Sequence, residues 1–85
     1  PIPQLTEDRR KELVKLTRQM AEEGRVAVRN VRRDAIKHLE ELVRNGDVGD
    51  DEERAAEARV QKLTDEHVSR IDDLLKRKEA DIMEV

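Results

Sequence analysis

The chain lacks cysteine, phenylalanine, tyrosine and tryptophan, and it has only two prolines and three glycines in 85 residues. Without cysteine there is no disulfide framework, thiolate metal site or cysteine nucleophile. Without aromatic rings there is no stacking platform of the kind that most readers of single-stranded RNA use. No apolar run approaches the ~20 residues of a membrane-spanning helix. We therefore expect no membrane contact and a helical, charge-rich chain.

Charge dominates what is present. Asp and Glu number 21, Lys and Arg number 18, and the formal net charge is −3. Apolar residues make up 35% of the chain, so a single small domain with a thin core is the most that 85 residues can form.

Signals for helix ends predict two long helices. Thr6 can cap the start of the first helix, and Asn45-Gly46 suits its C-terminus because this pair tolerates a left-handed backbone. Asp50 followed by Glu53 resembles a capping box at the start of the second helix. The predicted bounds are about 6–45 and 50–84.

The segments outside the helices have predicted roles as well. Pro1 and Pro3 make the first residues stiff and extended, and we interpret residues 1–5 as a hinge or linker to a larger protein. The connection between the helices is too short for anything but an antiparallel arrangement. It would form the tip of the domain, far from the hinge, and consists of Asn45, Gly46, Asp47, Val48 and Gly49.

Apolar residues recur at helical spacing, one stripe on each helix. The stripe of the first helix is Leu13, Leu16, Met20, Gly24, Ala27, Val31, Ala35 and Leu42, and that of the second is Ala56, Val60, Leu63, His67, Ile71, Leu74 and Ile82. The first helix has further apolar residues outside its stripe, at Val14, Val28, Ile36, Leu39 and Val43. We expect a third helix, not encoded here, to cover them. The predicted fold is all-α, with two long antiparallel helices forming part of an up-down three-helix bundle.

No catalytic or metal-binding pattern is recognisable. There is no glycine-rich phosphate loop, no Ser-His-Asp arrangement and no pair of histidines at ligand spacing. His38 and His67 lie on different helices, where packing explains them better than chemistry. The acidic residues 50–53 and the pair Asp72-Asp73 lack the spacing of a calcium loop. We therefore predict a protein that is not an enzyme, with no cofactor and no metal site.

One segment, residues 24–33, carries four arginines and no acid, while the whole chain has a net charge of −3. At about 100° per residue, Arg25, Arg29 and Arg32 fall within roughly 60° of one another, and Arg33 lies on the flank of this arc. The arc points away from the apolar stripe. A solvated basic face is one interpretation. Nearby balancing acids are mostly missing, apart from Glu22 and Asp34, and Arg suits two-point phosphate contacts. A nucleic-acid or other polyanion site is therefore the other interpretation.

Three motifs carry a resemblance to a known family. RVAVRNVRRDA at 25–35 closely resembles the signature of ribosome recycling factors, and PQLTEDRRK at 3–11 and VQKLTD at 60–65 are similar to other segments of that family, in the same order and at the expected spacing. The resemblance extends over essentially the whole chain.

The resemblance implies a fold and a function. A ribosome recycling factor has a three-helix domain I and a β-rich domain II inserted between the first and second helices, so this chain would be helices two and three, without the first helix and domain II. The family binds the large ribosomal subunit after termination and, with elongation factor G, splits the ribosome in the bacterial cytoplasm, without catalysing bond chemistry. By matching position, Arg29 and Arg32 would contact ribosomal RNA, flanked by Arg25 and Arg33, and the tip would point toward the peptidyl-transferase region.

Two other functions remain alternatives. A structural bundle or coiled-coil module would need continuous heptads with paired flanking charges, which the acid-free arginine segment fits poorly. A DNA-binding module would use a short recognition helix set by a tight turn, whereas the first helix here is nearly forty residues long.

Overall fold

Two helices account for nearly all of the described chain. The computed structural model describes residues 5–84 and contains α1 (Glu7–Arg44) and α2 (Asp50–Met83). The helices pack side by side in opposite directions, giving a rod with extents of 65 × 17 × 15 Å. The all-α antiparallel prediction is confirmed, and both pairs of helix bounds agree to within one residue. The hinge assigned to Pro1 and Pro3 lies outside the described residues.

Both ends of α1 are capped as the sequence predicts. The Thr6 hydroxyl accepts a hydrogen bond from the backbone N–H of Arg9 at 3.1 Å. At the other end the N–H of Gly46 donates to the carbonyl of Val43, and the N–H of Asp47 donates to that of Leu42. This is the Schellman pattern, which requires a left-handed residue, and Gly46 provides it with φ of 79°.

The start of α2 differs from the prediction. Gly49, not Asp50, is the capping residue, and no side chain caps the helix there. The predicted Asp50–Glu53 capping box is therefore wrong, because Asp50 is already helical and its side chain is one residue too late to cap. The first turn instead places four carboxylates, residues 50–53, near the positive end of the helix dipole, where negative charge is favourable.

The helix pair has no closed hydrophobic core. Within residues 5–84, no apolar side chain is fully buried, and Thr64 is the only residue classed as buried, at 8% exposure. The helices approach closely at Gly24, where an added Cβ atom would lie 3.4 Å from Cδ1 of Ile71. Because Gly24 has no side chain, α2 can pack closely against the middle of α1.

The residues of α1 that α2 covers differ in part from the prediction. The five residues assigned to a missing third helix (Val14, Val28, Ile36, Leu39 and Val43) are all half-buried. They span an arc of about 80° on the side of α1 that faces α2. The expectation that several of them stay exposed is wrong, because this arc carries much of the interhelical contact together with stripe residues such as Gly24.

Part of the predicted stripe is exposed instead. The most exposed large apolar side chains of the two stripes are Leu16 at 51%, Met20 at 61% and Val31 at 69% on α1, and Leu63 at 48% and Leu74 at 56% on α2. Between the helices this uncovered face forms an open apolar groove, lined mainly by Ala27, Val31, Ala35, Val60, Leu63 and His67. An unpartnered apolar face does exist, but of the five residues assigned to it only Val28 lines it.

Candidate nucleic-acid interface

Among the arginines of residues 24–33, Arg32 lines both the apolar groove and a second, polar cleft, whereas Arg29 lines the polar cleft only. The arc that contains Arg25, Arg29 and Arg32 borders the contact with α2, roughly 100–160° around α1 from Val31. We call Arg25, Arg29, Arg32 and Arg33 the arginine face. Since α1 is helical without interruption from Glu7 to Arg44, these side chains project from a stiff support.

Arg25 is held by two carboxylates. Its guanidinium bonds Asp72 of α2 at 2.7 Å and Glu22 of α1 at 3.0 Å, and its side chain is only 18% exposed. The hydrogen bond to Asp72 and that to Glu22 raise the pKa of Arg25, so its charge is fixed and locally compensated. The interpretation that the arginines lack balancing acids is wrong for this residue.

Arg18 makes a second pairing of the same kind. Its Nε donates to Oε1 of Glu79 at 2.5 Å, and this hydrogen bond raises the pKa of Arg18. Arg18 and Arg25 are seven residues apart, as are Asp72 and Glu79. Because seven residues are close to two helical turns, the two pairs form successive rungs between antiparallel helices.

Arg32 occupies the next position in this series but is not paired with a carboxylate. Its Nη1 donates to Oε1 of Gln61 at 3.2 Å, and Nε2 of Gln61 donates to Oδ1 of Asp65 at 2.9 Å. Arg32 is half-buried, and with Arg29 it lines a polar cleft completed by Gln61, Thr64, Asp65, Val68, Ser69 and Asp72. The cleft is therefore open to solvent and has two guanidinium groups at its wall.

Arg29 and Arg33 are the accessible members of the arginine face. Arg29 is exposed and forms no ion pair with any residue between 5 and 84. Arg33 is 70% exposed, and Asp34 lies 3.7 Å from it, which is a weak surface contact. The two side chains can reach an anion without first breaking a strong internal pair.

The acidic partners of Arg18 and Arg25 on α2 were not predicted from the sequence. They lie 61 and 47 positions away in the chain, so no local charge count along α1 reveals them. The signal that could have found them is the spacing: Arg18, Arg25 and Arg32 repeat every seven residues, and so do Asp65, Asp72 and Glu79. In an antiparallel hairpin these two series run in opposite directions and meet.

The tip lies at the far end of the rod. Asn45, Gly46 and Asp47 are exposed and Val48 is half-buried, so the tip offers backbone and amide groups more than apolar surface. Desolvation, followed by the neighbouring charges of Glu57, Asp50 and Glu40, raises the pKa of Glu53 at the start of α2. The end of the molecule next to the tip is therefore acidic, in contrast to the arginine face.

The histidines are not in a metal-binding arrangement. Both are exposed, so the expected packing role in a core is wrong for His38, while His67 lines the apolar groove with its Nδ1 2.7 Å from the carbonyl oxygen of Leu63. Across residues 5–84 no group of three or more acidic or histidine side chains is placed to hold a metal ion. Neither described helix is long and apolar enough to cross a membrane.

Comparison with known proteins identifies the family. The family model described as "Ribosome recycling factor" matches residues 1–83. The chain is 59% identical over 85 residues to the ribosome-recycling factor of Rubrobacter xylanophilus, covering all of this chain and 46% of that protein. It is 62% identical over 84 residues to that of Bacillus subtilis, covering 99% of this chain and 45% of that protein. With that of Halorhodospira halophila it shares 55% identity, again over 46% of the relative. The chain spans about half the length of these relatives, and it belongs to the ribosome recycling factor family.

Proposed function

We propose that this chain is the part of a ribosome recycling factor that binds structured RNA of the large ribosomal subunit through the arginine face. The observation that carries the proposal is the position of Arg29 and Arg32, which both line an open polar cleft on a long, uninterrupted helix. Such a surface suits phosphate oxygens, which accept paired hydrogen bonds from a planar guanidinium.

The chemistry of the face favours RNA read by shape. A-form RNA has a deep, narrow major groove, so a rigid helix recognises it through phosphates, 2′-hydroxyls and backbone geometry. That mode needs no aromatic side chain, and the sequence has none. A stiff row of arginines is therefore sufficient for this kind of recognition.

The four arginines have different proposed roles. Arg29 and Arg33 are free to contact phosphates directly, and Arg32 does so from the wall of the cleft. Arg25, whose charge is compensated by Asp72 and Glu22, contributes mainly by fixing α1 against α2 and shaping the cleft beside Arg29. Removing Arg25 should therefore affect stability more directly than it affects the number of phosphate contacts.

The apolar groove supports a further part of the proposal. We assign it to the first helix of the same protein, which would complete a three-helix domain I, with domain II joined through the hinge at Pro1 and Pro3. The support is the exposure of Met20, Val31 and Leu63 together with the length of the relatives, about twice that of this chain. Covering such a face is favourable by about 25 cal/mol for each Å² of apolar area removed from water.

The same proposal gives the complete factor its partners. With elongation factor G it would split the post-termination ribosome in the bacterial cytoplasm, without catalysing bond chemistry itself. The tip, residues 45–49, would point toward the peptidyl-transferase region and contact RNA through backbone groups and Asn45, because the carboxylate of Asp47 repels phosphates.

The test is equilibrium binding of the full-length factor to isolated large subunits over a series of salt concentrations. Arg29→Ala and Arg32→Ala should each weaken binding roughly ten-fold, as expected for a lost charged hydrogen bond, and should change folding stability by no more than about 1 kcal/mol. Each variant should also flatten the log–log salt dependence by about one unit. Arg→Lys should restore binding only in part.

Arg18→Ala is the matched control, because Arg18 shares the arc but is paired with Glu79. It should weaken binding less than Arg32→Ala does. If Arg29→Ala and Arg32→Ala both bind like the parent across the salt series, the arginine face is not the RNA-binding surface. The alternative, a structural bundle module without RNA binding, would then be favoured, since the apolar groove is what such a module requires.

A further inference from the structure

The ion pairs between α1 and α2 follow a seven-residue repeat. The sequence carries this repeat through three positions, but the structure forms an ion pair at only two of them. Arg18, Arg25 and Arg32 are each seven residues apart on α1, and Glu79, Asp72 and Asp65 are each seven residues apart on α2. Arg18 pairs with Glu79 and Arg25 pairs with Asp72. The same offset sets Asp65 opposite Arg32.

At the third rung a neutral side chain takes the place of the carboxylate. Gln61, one helical turn before Asp65, accepts from Nη1 of Arg32 through Oε1 and donates to Oδ1 of Asp65 through Nε2. Both amide atoms are used in the only orientation that suits a cationic donor on one side and an anionic acceptor on the other. Asp65 is therefore engaged by an amide, and Arg32 retains an uncompensated charge.

We propose that Gln61 is a positioning residue of the RNA-binding surface: it bridges Arg32 and Asp65, prevents them from closing a third ion pair, and keeps the Arg32 guanidinium turned to the cleft for a phosphate group. The proposal rests on the proposed function, because it concerns the same cleft. It goes further by separating arginines that hold the helices together, Arg18 and Arg25, from one that is kept free for a ligand.

The charge inventory of the cleft explains why this matters. Its lining includes Arg29 and Arg32 as cations and Asp65 and Asp72 as anions, and Asp72 is already paired with Arg25. If Asp65 paired with Arg32, Arg29 would be the one uncompensated cation among these lining residues. The amide of Gln61 therefore decides whether the cleft offers one free guanidinium or two, and a phosphate with several oxygens binds two better.

The first experiment uses the full-length factor and isolated large subunits. Gln61→Glu replaces the neutral acceptor by a carboxylate of the same length, and it should weaken binding roughly ten-fold, close to the effect of Arg32→Ala. Gln61→Ala removes the bridge and should also weaken binding, because Asp65 is then free to pair with Arg32. Adding Asp65→Asn to Gln61→Ala should restore most of the lost affinity.

Gln19→Glu is the matched control. It makes the same change of charge at an exposed glutamine of α1 that is ten residues from Arg29, about 15 Å along the helix and beyond the screening length at physiological salt. Its affinity should stay close to that of the parent. If Gln61→Glu and Gln61→Ala bind like the parent while Arg32→Ala is impaired, the proposal is overturned although the RNA-binding surface stands.

The second experiment does not depend on RNA. Urea unfolding of the full-length factor measures the coupling between Arg32→Ala and Asp65→Ala in a double-mutant cycle, once with Gln61 present and once in the Gln61→Ala background. The coupling should be small with Gln61 and should increase without it. If it is the same in both backgrounds, Gln61 does not separate the pair and the proposal is wrong. Should Arg29→Ala and Arg32→Ala leave subunit binding intact, the proposed function fails, and this cycle still decides whether Gln61 separates the pair.

Discussion

The two flanks of the helix pair differ in whether their side chains find partners within the described residues. On the arginine flank, Arg18 and Arg25 are paired with carboxylates of α2, and the charges left over stand in water. On the apolar flank, Met20 and Val31 have no partner among residues 5–84 and are 61% and 69% exposed. An exposed charge costs little because water solvates it, whereas exposed apolar area is a continuing free-energy cost. The arginine flank thus finds its partners within residues 5–84, whereas the apolar flank is left uncovered by them, which is where the proposed first helix would pack.

The largest expected effect tests that dependence. In the full-length factor, Met20→Ala and Leu63→Ala should each lower the free energy of unfolding by about 2–5 kcal/mol, the range for large-to-small changes at buried sites. Val26→Ala is the control, since Val26 is 46% exposed on a different side of α1, and it should cost less than about 1 kcal/mol. Urea unfolding followed by circular dichroism gives all three values. Equal, small effects would mean that nothing covers the groove.

An intermediate effect distinguishes the paired from the free arginines. Arg25→Ala should lower the urea midpoint of the full-length factor, because it leaves Asp72 without its partner at a part-buried contact. Arg29→Ala should leave the midpoint nearly unchanged and weaken large-subunit binding instead. Measuring unfolding and binding on both variants gives a crossed pattern if the two arginines divide their roles as the contacts indicate. A shift of both properties by both variants would remove the distinction.

The smallest expected effect concerns the acidic end near the tip. Because the pKa of Glu53 is raised in the folded protein, folding favours its protonated form, and its charge destabilises the fold at neutral pH. Glu53→Gln should therefore give a small rise in Tm at pH 7. The gain should shrink as the pH falls toward 4.5, the ordinary pKa of a glutamate in an unfolded chain, because the native Glu53 then becomes protonated as well. A gain independent of pH would exclude this cause.

The helix bounds were predictable because their signals are local. Thr6, Gly46 and the absence of proline between them act within one or two helical turns, and the structure places the ends of α1 within one residue of the prediction. The capping residue of α2 was predicted one position too late, as Asp50 in place of Gly49. Both residue types suit a helix N-cap, and the choice between them depends on how the chain leaves the turn.

The faces of α1 were harder to assign because both are apolar. The stripe with Met20 and Val31 and the arc with Val28 and Leu39 have similar spacing, and the sequence contains nothing that says which one α2 occupies. The pairing of Arg18 with Glu79 and of Arg25 with Asp72 settles that choice, and both are contacts between distant positions. The arginine face could be predicted from the sequence of α1 alone. The neutralisation of Arg25 by Asp72 of α2 could not, because it depends on how the two helices pair.

The ladder of Arg18–Glu79 and Arg25–Asp72 is periodic, and a periodic ladder does not define a unique alignment. If α2 slid along α1 by one heptad, about 10.5 Å, Arg25 would meet Glu79 and Arg32 would meet Asp72, again as pairs of opposite charge. The five residues from Asn45 to Gly49, with the left-handed Gly46 that ends α1, leave no slack for such a slide. The turn is therefore the element that selects one alignment among several of similar charge pairing. A longer tip would allow the hairpin to populate shifted alignments, in which Arg32 becomes paired and unavailable to a phosphate.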